Sequence, residues 1–95
     1  RKHMEYIINK HENKFFIEDE VNNLIAEITF YFSDDKTIVI DHTYVSENLK
    51  GKGVATMLLD KTVEYARNKN YKIVPLCSFA VKKLNESDKY KDVLK

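Results

Sequence analysis

Glycine, proline and cysteine are scarce in this chain of 95 residues: two Gly, one Pro and one Cys. So little Gly and Pro excludes collagen-like and linker composition. The single Cys77 excludes a disulfide within the chain, and a cysteine-based metal site would need partners that are absent, so no metal is expected. No apolar run approaches the ~20 residues that cross a bilayer, which argues against a membrane protein. The net charge of +1 argues against general nucleic-acid binding. What the chain does have is core material: 8 Ile, 8 Val, 7 Leu and 5 Phe. That share exceeds the ~20% below which chains stay disordered, so one packed domain is expected, in a cytoplasmic protein.

Charge is unevenly spread. Residues 1–47 hold 5 Lys/Arg against 10 Asp/Glu, and residues 48–95 hold 11 against 5. The basic half meets an anion, or the halves attract each other, or both are solvated faces; Lys82, Lys83, Lys89 and Lys91 read as solvated. Arg1-Lys2-His3 reads as the end of an expression tag before a native Met4, which leaves a single domain over 4–95.

The first half reads as strands. Tyr6-Ile7-Ile8 and Phe15-Phe16-Ile17 are short strand-forming runs joined by the polar 9–13 connection of a hairpin. Leu24, Ala26, Ile28, Phe30 and Phe32 alternate with polar residues, the period of a half-buried strand. Thr37 to Val45, apolar on both faces at Ile38-Val39-Ile40, is a central fourth strand. After Gly53 the period changes. Ala55, Leu58, Leu59, Thr62, Val63 and Ala66 recur as on an amphipathic helix from Val54 to about Asn68. A fifth strand follows at 71–76, then a last helix with Ser78 as N-cap, then a tail burying Tyr90, Val93 and Leu94. The fold class is α+β: an antiparallel four-strand meander, a β-α-β unit whose strands must be parallel, and a short C-terminal helix.

Both glycines fall in Lys50-Gly51-Lys52-Gly53-Val54-Ala55, between a buried strand and a helix start. Glycine lets the backbone turn tightly and lets a ligand approach its N–H groups. The helix start adds free N–H groups and the positive dipole end, and Lys50 and Lys52 add charge, so the segment suits a phosphate or pyrophosphate. Its spacing is that of neither a P-loop nor a dinucleotide fingerprint.

The segment resembles the acetyl-coenzyme A loop of the GNAT N-acetyltransferases: Arg or Gln, two residues, Gly, one residue, Gly or Ala. Here Lys50 replaces the Arg or Gln, and Val45-Ser46 and Asn48-Leu49 resemble the approach to that loop. The resemblance spans residues 24–77. It implies acetyl-coenzyme A as co-substrate, with the pyrophosphate on backbone N–H groups of Lys50, Gly51, Lys52, Gly53, Val54 and Ala55. It also implies the pantetheine arm along the fourth strand at Thr43 and Val45, with Ser78 near the ligand, and a strand-four N–H polarising the thioester carbonyl.

The chain departs from the family in lacking the two helices between the first strands and the sixth and seventh strands. The acceptor side is then open or completed by a partner chain, such as a second copy in a homodimer. In this the chain is similar to the compact GNAT subgroup of fewer than about 100 residues, in which a Cys follows strand five and a His lies on strand four. Cys77 and His42 match, at the place where the acetyl group is expected. A helix start favours a thiolate, and His42 would accept its proton or that of an incoming amine. Against this, a lone Cys is ordinarily a small buried hydrophobe and a central-strand His an ordinary core residue.

Asp41 is expected on the face opposite His42. Glu27 is a second candidate base, expected to be solvent-exposed. Tyr90 is a weaker candidate for the family's general acid. The expected activity is acetyl transfer to an amine, directly or through Cys77, with a non-catalytic acetyl-CoA-binding module as the alternative. A nucleic-acid-binding domain ranks last, because Phe30, Tyr31 and Phe32 lie in the acidic half.

Overall fold

A computed structural model of the chain describes residues 6–95; the tag reading of residues 1–3 and the Met4 start lie outside the described residues. Five strands form one sheet in the order β1 (Asn9–His11), β2 (Lys14–Glu18), β3 (Leu24–Asp34), β4 (Thr37–Val45) and β5 (Lys72–Pro75). The first four pair antiparallel and β5 joins β4 in parallel through α1 (Val54–Lys69), as the crossover predicts. The last helix, α2, spans Ser78–Asn85.

Period-two alternation sends Ala26, Ile28 and Phe30 of β3, with Phe15 and Ile17 of β2, into one core. Leu58, Leu59, Val63 and Ala66 of α1 cover them, and Ala80, Leu84, Tyr90 and Val93 extend the same cluster. Leu24 and Phe32, expected in that set, stand half out at the strand ends, 37% and 39% exposed. The first strand also differs from expectation. It is the polar 9–11 segment, because His11 pairs with Lys14 and the hairpin closes tightly over Glu12-Asn13, while Ile7 is exposed. Asn70 ends α1 in a left-handed conformation (φ 61°), its N–H bonding back to Ala66 and Arg67 carbonyls.

Two details position the site. The register jumps from Thr29↔His42 to Phe30↔Ile40, so Asp41 is an extra residue, a β-bulge in β4. Pairing of β4 with β5 stops at Ile40↔Pro75, while β4 runs on to Val45. The two parallel strands therefore part at the bulge, and the β5-side edge of residues 41–45 is left open.

Candidate functional site

At the mouth of that opening the chain leaves β4, makes a short 3-10 turn (Glu47–Leu49) and enters α1. Gly51 and Gly53 both adopt left-handed conformations, φ 80° and 78°, which an L side chain tolerates poorly. A Cβ built at either would meet no protein atom within 4 Å, so the space beside the loop is open. Gly53 is the N-cap of α1, and its carbonyl accepts the Met57 N–H at 3.0 Å. The N–H groups of Val54, Ala55 and Thr56 come before that bond and have no helical acceptor. No side chain caps them, and no acidic residue stands in the first turn. They are donors turned to an open space at the positive end of the helix dipole.

That space is a cleft of about 410 Å³, lined by Thr43, Tyr44, Val45, Leu49, Lys50, Gly51, Gly53, Val54, Ala55, Thr56 and Phe79. Seven residues expected from the sequence are brought together here: Thr43, Val45, Lys50, Gly51, Gly53, Val54 and Ala55. Lys52 and Ser78 do not line it. Ser78 is not the N-cap of α2 but its first residue; Cys77 caps, in an extended conformation (φ −72°, ψ 147°). The reason is that the Cys77 N–H still reaches the Ile40 carbonyl (3.3 Å) while its own carbonyl accepts the Val81 N–H (3.0 Å), so the helix starts one residue early.

Tyr44, Leu49, Thr56 and Phe79 were not legible as lining residues. Thr56 was within reach as the third residue of a helix whose start was known; Phe79 depends on how α2 docks. A larger groove of about 560 Å³ lies between Tyr6 and Ile25, rimmed by Glu18, Asp19 and Glu20. The Asn23 backbone and side-chain amides hold the Asp19 carboxyl below its ordinary range, so this rim is anionic and unsuited to a phosphate.

The bulge rearranges the residues expected to do chemistry. Directly opposed residues share a sheet face, so Glu27, Thr29, Tyr31, His42 and Tyr44 lie on the face away from the core, while Thr43 and Val45 lie on the α1 face. Asp41, expected opposite His42, lies on the same face, since its Oδ1 accepts the Thr29 hydroxyl at 2.7 Å. His42 and Cys77, expected side by side, have different neighbours. His42 Nε2 stands 4.0 Å from Glu27 Oε2, while Cys77 Sγ stands 3.9 Å from Thr43 Oγ1. The inserted residue is the cause, because it shifts by one the alternation of everything after Ile40.

Glu27, expected to be solvated, has a side chain only 17% exposed, between Lys14 (3.5 Å) and His42. Tyr90 is committed elsewhere: its hydroxyl donates to Asp60 Oδ1 of α1 at 2.7 Å. Burial first, then that bond, pushes its pKa up to about 12. It is a structural residue. No group of His, Cys, Asp and Glu with the geometry of a metal site occurs among the described residues.

Residues 14–93 match the family model described as GCN5-related N-acetyl-transferase. A solution structure of a GCN5-like protein from Staphylococcus aureus is 49% identical, with a TM-score of 0.81 over 95% of this chain and 88% of that one. A GNAT family acetyltransferase from Elizabethkingia anophelis with acetyl-CoA bound is 25% identical, with a TM-score of 0.59 over 81% of this chain and 51% of its own. An Escherichia coli GNAT family N-acetyltransferase in complex with CoA shares the fold at 18% identity, with a TM-score of 0.62 over 74% of this chain and 42% of that one. This chain thus spans about half or less of the larger structures. None of the curated proteins compared matches it. Together with the strand order, the open β4 edge and the glycine loop, the match identifies the chain as a member of the GCN5-related N-acetyltransferase family, acyltransferases that take acetyl-CoA as co-substrate.

Proposed function

We propose that the protein transfers the acetyl group of acetyl-CoA directly to an amine, with His42 as the base and Glu27 as its partner. One observation carries this reading. The cleft below the α1 N-terminus reaches the open β4 edge at Thr43, next in the chain to His42, which faces the side of the sheet that α1 leaves bare.

The residues present fit acetyl-CoA. The N–H groups at the α1 start receive the pyrophosphate, and Lys50, whose one ion pair among the described residues is an exposed contact with Glu47 at 3.8 Å, can turn toward it. Lys52 adds charge from outside the cleft. The pantetheine arm lies on Thr43 and Val45, using unpaired strand-edge groups as a further strand would. In the reaction the amine nitrogen forms the C–N bond while the thioester C–S bond breaks and coenzyme A leaves as its thiolate. His42 takes the proton that the nitrogen loses, and the Glu27 carboxylate faces the imidazolium so formed. Cys77, beside Thr43 on the other face, does not take the acetyl group.

Calorimetric titration with acetyl-CoA and an assay of coenzyme A release test the reading together. Binding with amine-dependent release, lost by about 100-fold or more in His42→Ala with binding kept, is the expected result. Binding without release for any amine would leave a non-catalytic acetyl-CoA-binding module. The domain limits, 4–95, and a cytoplasmic location remain part of this proposal.

A further inference from the structure

The sheet face turned away from α1 carries a second arrangement that shares only Tyr44 with the lining of the cofactor cleft. Glu27, Asp41 and His42 form its centre, and Tyr31 and Tyr44 flank them, 42% and 40% exposed. The helices pack on the opposite face, where their buried residues join the single core. We infer that this bare face takes a lysine side chain carried on a polypeptide segment, in preference to a free small amine; this rests on the acetyl-transfer reading above.

Charge sets the first half of the argument. Among the described residues Glu27 has one lysine beside it, Lys14 at 3.5 Å. Asp41 has none in contact among the described residues; one of its oxygens accepts the Thr29 hydroxyl and the other has no partner among those residues. The centre is therefore net anionic and complementary to an arriving ammonium.

Shape sets the second half. His42 is 57% exposed at its side chain and Asp41 is exposed, so the centre is a surface and not a walled pocket. Carboxylates in open water hold a free amine weakly, because solvent screens them. A polypeptide can also lay aliphatic stem and backbone against the rings of Tyr31 and Tyr44, adding apolar and cation–π contact that a small amine lacks. At the centre the lysine ammonium first loses one proton to solvent. The neutral Nζ then forms the C–N bond as the thioester C–S bond breaks, its second proton passing to His42 while coenzyme A leaves as the thiolate.

The test uses the whole chain with acetyl-CoA and compares coenzyme A release for free lysine, spermidine and a soluble peptide of alternating lysine and alanine. The peptide is expected to have a kcat/KM at least about tenfold higher per lysine than either free amine. Its KM is expected to rise with salt. Asp41→Asn, which keeps the Thr29 bond, should raise the peptide KM with kcat largely kept, and Tyr31→Ala should do the same through lost ring contact. Free amines acetylated as well as the peptide, or a peptide KM indifferent to both substitutions in folded variants, would overturn the inference while leaving acetyl transfer standing. Acetyl-CoA binding with no amine acetylated would overturn both.

Discussion

Gly53 separates affinity from stability at a single residue. Its left-handed φ penalises any side chain by about 1–2 kcal/mol. A Cβ there meets no protein atom, so Gly53→Val should still fold, with a lower melting temperature. The same side chain would stand in the space proposed for the phosphates, beside the Val54, Ala55 and Thr56 N–H groups. Calorimetry should therefore show acetyl-CoA affinity falling by more than about tenfold, beyond what the stability loss explains. Unchanged affinity in the folded variant would remove the loop from the binding site. Cys77 supplies the second comparison. Its neighbour is Thr43 and not His42, so Cys77→Ala should keep near-normal turnover, and mass spectrometry of the parent protein with acetyl-CoA should find no acetyl-thiol. An added acetyl group that Cys77→Ala abolishes would instead establish the relay.

Among the elements, the tail after α2 stands in for the missing sixth and seventh strands. Leu94 makes a single parallel bridge to Ile73, and Tyr90 and Val93 are buried beneath it. The Tyr90 hydroxyl, bonded to Asp60, anchors the tail to α1. Tyr90→Phe removes that bond and should cost about 1 kcal/mol, or about 4–8 °C in melting temperature for a domain of this size. The pH dependence has a definite sign. A tyrosine pKa raised from 10.0 to about 12 stabilises the fold fully below pH 10, and the contribution is lost as pH rises through 12. The parent protein should therefore lose stability over that window while Tyr90→Phe loses less. Parallel alkaline melts of the two would contradict the assignment.

Across the whole molecule, a clasp joins the C-terminal tail to α1 and β5. Arg67 donates to both oxygens of Asp92 (2.7 and 2.9 Å) and to the Lys89 carbonyl, and Lys72 donates to the Asp92 carbonyl (2.7 Å). The Arg67 guanidinium holds the Asp92 carboxyl below its ordinary 3.8. A depressed carboxylate contributes stability above pH 3.8 that is lost as the pH falls through its folded value. Asp92→Asn should be less stable than the parent at neutral pH, with the gap closing as acid titrates the carboxylate in both folded and unfolded chains. A gap independent of pH down to full acid unfolding would mean that the pairing contributes nothing. Because the clasp is far along the chain from the glycine loop, acetyl-CoA affinity should be unchanged in the folded Asp92→Asn protein.

Local chemistry made much of this legible without coordinates. Period-two alternation located β3 and β4, period 3.6 located α1, and the crossover rule made β4 and β5 parallel. Two glycines and a helix start sufficed to locate the left-handed turns and the free N–H groups, because positive φ and uncapped donors are properties of a few consecutive residues. What the sequence could not yield was set by register. Asp41 has no mark of a bulge, since a bulge exists only relative to the partner strand. With it went the facing of every later residue of β4, as His42 toward Glu27 and Thr43 toward Cys77. The polar first strand was hidden for the same reason, being held by its pairing with β2 and not by its own side chains. Turns and helices are written in adjacent residues; which side chains meet across a sheet is decided by how distant strands align.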